Sequence, residues 1–154
     1  MRTSMLRIYL DHCVYNRPFD DKSQLTIRLE IAAKLRIQEQ IRAGIFELVW
    51  SFMNDYENSE NPFNDRQEII QVWRNEAALV CVPDDGILKQ SLEFRQKGLK
   101  PKDSLHLACA VHSHCDCFIT TDIFLLKKQA FITEITIINP IDFVRKEEAP
   151  YDLD

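Results

Sequence analysis

Leu6-Arg-Ile-Tyr-Leu10 is a short apolar run that ends directly in Asp11, and Cys117-Phe-Ile-Thr-Thr121 is a second that ends directly in Asp122. Each has the length and composition of a buried strand. Three more runs of this kind stand at 46–50, 79–82 and 134–138, the second of these stopped by Pro83 and the last closed by Pro140. Helical patterns separate them. Strands alternating with amphipathic stretches predict an α/β fold of three layers, α/β/α, around a central parallel sheet of four or five strands. In such sheets ligands bind beyond the carboxyl ends of the strands, which is where Asp11 and Asp122 fall.

Working outward, a polar loop with Asn16, Pro18, Asp20 and Asp21 follows the first strand. Over 24–42 the apolar positions Leu25, Leu29, Ile31, Ala32, Leu35, Ile37 and Ile41 recur mostly at steps of three and four, so an amphipathic helix is expected, terminated by Gly44. Ser51 is placed to cap a helix starting at Phe52. A loop is expected at 58–65, then a second amphipathic stretch over 66–78. Asp84 or Asp85 can cap a helix to about Lys97 that Gly98 ends, and 102–113 reads as a helix with Leu105, Leu107, Ala108 and Val111 inward. Residues 1–146 are expected to form one domain, and 147–154 a mobile tail.

With 154 residues, 45% hydrophobic and 28% charged, the composition is that of one globular core. The three glycines, Gly44, Gly86 and Gly98, are too dispersed for a phosphate-cradling loop, which excludes P-loop and dinucleotide-binding classes. Nineteen Lys+Arg against twenty-four Asp+Glu, a net charge of −5, weigh against a plain electrostatic binder of nucleic acid. No apolar run approaches the ~18 residues of a membrane span, and no hydrophobic core of signal-peptide length opens the chain. Five irregularly spaced cysteines suit reduced thiols. A cytoplasmic protein without membrane contact is expected.

A carboxylate at a strand end is costly to desolvate unless something pairs with it, so Asp11 and Asp122 at one sheet edge suggest a shared cation. Each could instead simply cap the next helix. Asp103, in Lys100-Pro-Lys-Asp-Ser104, has the same two readings. The helix after the second strand offers Asp55, Glu57 and Glu60; with Phe52, Met53 and Tyr56 facing the core, helical geometry does not choose among them. Three or four converging carboxylates would hold Mg²⁺ or Mn²⁺ and could hydrolyse phosphodiesters by activating water.

The chain resembles PIN-domain ribonucleases, the 5′-nuclease-like fold of many toxins in bacterial toxin–antitoxin pairs. The resemblance runs from Tyr-Leu-Asp11 to Asn139-Pro140 and is most specific in Lys100-Pro-Lys-Asp-Ser-Leu-His-Leu-Ala108 followed by Phe118-Ile-Thr-Thr-Asp122. It looks closest to a subgroup opening with Asp-x-Cys-x-x-Asn-Arg-Pro-Phe-Asp-Asp, here Asp11 to Asp21. The resemblance implies Asp11, Glu57, Asp103 and Asp122 as the catalytic acids, with Asp11, Asp103 and Asp122 as direct metal ligands and Glu57 binding a second ion or orienting a water. It departs from the family at His12, where a small hydroxyl residue is common, and at Ile123, where some members carry a polar group. The implied chemistry is metal-assisted, in-line attack of water on an RNA phosphodiester, leaving a 5′-phosphate and a 3′-hydroxyl. A homodimer and a cognate antitoxin are implied partners.

Asn16, Arg17, Thr120 and Thr121 are candidates for supporting the acids or touching substrate phosphates; the threonines are also ordinary strand formers. Lys100 and Lys102, with Arg95 and Lys97, could track an RNA backbone despite the acidic total. His112-Ser-His-Cys-Asp-Cys117 superficially suggests zinc, but residues two apart on a helix cannot chelate together. His106 reads as a hydrogen-bonded core residue, Trp50, Phe52 and Trp73 as core, and no Cys-His-Asp order makes Cys13 a nucleophile. Two other readings are a phosphoryl-transfer domain with a strand-end nucleophile, disfavoured because no second aspartate follows Asp11 two residues on, and a PIN-like RNA- or protein-binding scaffold with idle acids.

Overall fold

The computed structural model describes residues 5–148. Five parallel strands, β1 (Leu6–Leu10), β2 (Phe46–Ser51), β3 (Leu79–Cys81), β4 (Cys117–Ile119) and β5 (Thr136–Ile138), lie in the order β3-β2-β1-β4-β5. Strand alternation sends neighbouring side chains to opposite faces, so β1 feeds two cores at once. Ile8 and Leu10 pack with Leu48, Trp50 and Ile119 on one face, while Tyr9 packs with Val49, Cys81 and Phe118 on the other. This burial on both faces explains why the strands read as continuous apolar runs rather than as alternating ones.

On the Ile8 face lie α1 (His12–Asn16), the long α2 (Leu25–Arg42), α4 (Asn64–Gln71), α5 (Trp73–Glu76) and α9 (Pro140–Glu147), which packs against α2. On the Tyr9 face α6 (Asp85–Gln96) and α7 (Pro101–His112) form an extensively packed pair, with α8 (Ile123–Leu126) beside β5. The remaining helix, α3 (Phe52–Ser59), leaves the end of β2. Its start is fixed by a capping box: Ser51 Oγ accepts from Met53 N and Asn54 N, and Asn54 Oδ1 accepts from Ser51 N. Asp84 caps α6, and Gly44 and Gly98, at φ +76° and +95°, follow the ends of α2 and α6 in a conformation other residues resist.

The chain builds β1, β2 and β3 outward in one direction and then returns to place β4 on the other side of β1. The crevice at such a reversal opens at the carboxyl ends of the two central strands. Here those ends are Leu10 and Ile119, joined by a hydrogen bond from Asp11 N to Ile119 O of 2.9 Å.

Several local expectations are corrected. Residues 12–19 are α1 followed by a 3₁₀ turn (Arg17–Phe19), not a loop, because Asp11 caps α1 and Pro18 supplies a helix-compatible φ in the turn. The stretch 66–78 is not one helix: α4 and α5 are separate segments meeting at Val72. Pro140 does not merely close β5; with Asn139 as cap it starts α9, the favoured place for proline in a helix. Tyr56 is 48% exposed rather than inward; α3 buries Met53, Asn54 and Asn58 instead. In α2 the leucines 25, 29 and 35 are exposed while Ala33, Ile37 and Ile41 face the core. Glu148 accepts from Arg36 Nε at 2.9 Å, and the rest of the expected tail, 149–154, lies outside the described residues.

Candidate active site at the carboxyl edge of the sheet

Asp11, Glu57, Asp103 and Asp122 come from four separate segments and line one cleft of about 550 Å³. Asp11 is buried at the end of β1. Its Oδ1 accepts from His12 N at 2.8 Å, so it does cap α1; its Oδ2 accepts from Thr120 Oγ1 at 2.8 Å and from Cys13 Sγ at 3.5 Å. Asp122 likewise caps α8 through Oδ1, which accepts from Phe124 N at 2.9 Å, and it also lines the cleft. Capping and facing the cleft are thus not alternatives: one carboxylate does both.

Asp103 stands in the first turn of α7, which Pro101 opens. Burial, then the neighbouring charges of Asp11 and Asp122, push its carboxyl up to about 6. The rise thus has two sources, the partial burial of Asp103 and the two other acids at the same edge. Glu57 behaves oppositely. Burial alone would raise it, yet the hydrogen bond from His106 and the charges of His106, His12 and Lys102 hold it below its ordinary value.

The choice among the α3 acids is made by contacts. Asp55 accepts from Trp50 Nε1 and Gln71 Nε2, both at 2.9 Å, and pairs with Arg74, so it ties α3 to β2 and α4. Glu60 is exposed and lines a neighbouring cavity. Of the three, Glu57 alone lines the cleft.

His106 is buried and hydrogen-bonded, as its apolar helix face suggested, but its partner makes it part of the site. Its Nε2 meets Glu57 Oε1, its Nδ1 meets Tyr9 Oη at 2.5 Å, and Tyr9 Oη meets Ser51 Oγ at 2.5 Å. Burial pushes the Tyr9 hydroxyl well up, so it keeps its proton; when the His106 ring is neutral, Tyr9 can donate to Nδ1 and Nε2–H to ionised Glu57. A directed chain therefore runs from the α3 cap to the cleft. The signal was present in the spacing: His106 lies one turn after Asp103, on the same face of α7.

Asp11, Glu57 and His106 bring one ligand atom each within 4.8 Å of one another, and among the described residues no other three His, Cys, Asp or Glu side chains do so. The cleft's oxygen donors could hold a divalent cation, whose charge would relieve the repulsion around Asp103. The His112–Cys117 segment forms no such group; His112 instead lies 3.6 Å from Asp84. Cys13 lines the cleft, but burial pushes its thiol up to about 12, which makes it a poor nucleophile.

The auxiliary residues divide. Lys100 and Lys102 line the cleft, and Thr120 orients Asp11. Thr121 is buried beside them and does not line the cleft. Asn16 opens onto the neighbouring cavity. Arg17 is turned away into ion pairs with Glu30 at 2.8 Å and Asp20 at 2.9 Å. Lys97 donates to Phe131 O.

No protein-family model matches the chain, and no curated protein sequence does. Among solved structures, a chain in the crystal structure of VapBC2 from Rickettsia felis bound to a DNA fragment from its promoter is similar. The two share 14% identity with a TM-score of 0.55, over 87% of this chain and 98% of that one. At this identity the likeness speaks to the fold alone: the chain has a PIN-like α/β/α fold with an all-parallel, five-stranded sheet. Among the described residues no helix is long and apolar enough to cross a membrane.

Proposed function

We propose that the protein is a Mg²⁺- or Mn²⁺-dependent ribonuclease and the toxin of a toxin–antitoxin pair. The observation that carries this reading is the convergence of Asp11, Glu57, Asp103 and Asp122 on one cleft whose rim bears Lys100 and Lys102. A divalent cation bound there would supply charge to activate a water and to stabilise the leaving oxygen of a phosphodiester. The protein's own residues would prepare that chemistry. Thr120 fixes the rotamer of Asp11, His106 fixes Glu57, and the two lysines draw the anionic backbone to an otherwise acidic edge. Asp11 and Glu57, whose ligand atoms lie together beside His106, would hold one ion, and Asp103 and Asp122 on the same cleft would complete its shell or take a second ion or a water.

The toxin role and an antitoxin partner are supported by the fold likeness to a chain of a VapBC2 assembly; a homodimer and a cytoplasmic location accord with that reading. The deciding experiment is cleavage of single-stranded RNA by the purified protein with Mn²⁺, with EDTA, and as Asp11→Asn. Cleavage by the wild type with metal alone is the expected result. Equal cleavage in all three samples would reject the assignment, and RNA binding without cleavage would favour a scaffold with idle acids.

A further inference from the structure

A second cavity, of about 330 Å³, adjoins the cleft and shares Glu57 with it. Its wall includes His12, Asn16, Asn61, Phe63 and Arg66. Two polar atoms among these residues are sealed from solvent and without a partner: His12 Nδ1, on a side chain only 7% exposed, and Asn61 Nδ2. Both atoms lie beneath the cavity surface and mark a polar wall, not a point of ligand contact. Beside them, the Arg66 guanidinium lies 4.0 Å from the centre of the Phe63 ring and 5.2 Å from that of Phe19, and it forms no ion pair with any described residue. Phe63 is 51% exposed, although aromatic rings at a surface usually find cover.

We infer that this cavity seats a nucleobase of the substrate RNA beside the scissile phosphate, stacked on Phe63 and Arg66 with its edge toward Asn16, Asn61 and His12. The inference rests on the ribonuclease reading for its substrate. A phosphate is the wrong occupant, because Asp20, Glu57 and Glu60 also face the cavity and would repel it. A neutral base suits the same wall: amide and imidazole atoms and carboxylates match its donors and acceptors, and an aromatic ring with a guanidinium plane matches its face. Single-stranded RNA is read in this way, by splayed bases stacked on aromatic or arginine planes and hydrogen-bonded at their edges. The subsite would make His12 and the 61–66 segment determinants of sequence preference, while Lys100 and Lys102 on the cleft wall contact the backbone.

The test is binding, measured by fluorescence anisotropy, of short single-stranded RNAs to the full-length Asp11→Asn protein, which should bind without cutting. The RNAs carry either all bases or one abasic site at successive positions. Phe63→Ala and Arg66→Ala, added singly, should each weaken binding of intact RNA about tenfold, the effect of losing one stacked base. They should leave unchanged the binding of the RNA that is abasic at the seated position. Variants that bind every RNA as the parent does, or that weaken intact and abasic RNAs alike, would overturn the inference. Thermal melts of both variants matching the parent exclude misfolding as a cause. If wild type cleaves RNA but the variants show no base-dependent loss, the subsite falls and the nuclease stands; base-dependent loss without wild-type cleavage gives the reverse.

Discussion

Acids stand in two different parts of this molecule and are treated in opposite ways. Glu30, on α2, is nearly fully buried; its Oε1 accepts from Arg17 Nε at 2.8 Å and its Oε2 from Asn139 Nδ2 at 2.8 Å. Both oxygens are satisfied, and the trio ties α2 to the turn after α1 and to the cap of α9. At the sheet edge, Asp11, Asp103 and Asp122 line one cleft, where burial and then the charges of Asp11 and Asp122 push the Asp103 carboxyl up to about 6. A structural acid is delivered together with its cation and donors. The acids of the proposed site instead face one another, at a cost in stability that a bound cation would recover.

The two sets of acids should differ most at Asp11. Asp11→Asn should lower metal-dependent RNA cleavage by at least about a thousandfold, as loss of a principal charge in a preorganised site does, while the melting temperature stays level or rises; a gel assay and a thermal melt check both. Glu30→Ala should do the reverse. It leaves Arg17 and Asn139 without their acceptor and should cost about 2–3 kcal/mol in denaturant unfolding, since stripping one partner from a buried pair is expensive. Cleavage per folded molecule should be unchanged.

Metal should distinguish the two sets of acids as well. Mn²⁺ at about a hundred times its dissociation constant should stabilise the wild type by about 2.7 kcal/mol, and Glu30→Ala by the same increment, but Asp103→Asn by much less. Differential scanning fluorimetry reads all three. The smallest expected effect is on the metal-free protein. Because the folded state binds the Asp103 proton more tightly than the unfolded chain, the group opposes folding above pH 6 and ceases to do so as pH falls toward 4. Asp103→Asn should therefore raise the metal-free melting temperature by about 2–4 °C at pH 7.5, corresponding to about 1 kcal/mol after allowing for partial exposure, and by little at pH 4.5.

His106 sharpens the contrast, because it belongs to both kinds of arrangement. Within the core it is a satisfied group between Tyr9 and Glu57; at the cleft it decides which oxygen of Glu57 is held. Asp55 and Glu57, two residues apart on α3, show how finely this is divided: one accepts from Trp50 and Gln71 and closes the packing, the other opens onto the cleft.

Much of this was legible in the amino-acid order. Apolar runs ending in Asp11 and Asp122 defined the strands and the edge at which they end, since a strand buried on both faces must be continuously apolar and its terminal carboxylate must leave the sheet. Ser51, Asp84, Gly44 and Gly98 marked helix boundaries through local hydrogen bonding and backbone freedom, which need no distant partner. Other features had no local signal. The periodicity of α2 announced an apolar stripe but not that leucines 25, 29 and 35 would stay exposed, because burial depends on where α9 and the sheet lie. The removal of Arg17 from the site required Glu30, thirteen residues on, and the selection of Glu57 by contact required Trp50, Gln71 and His106. The order of residues, then, determined the five strands, several helix boundaries and the acids that stand at strand ends. Only the tertiary structure decided which acids are neutralised and which are left to repel one another, because that depends on charges brought together through space.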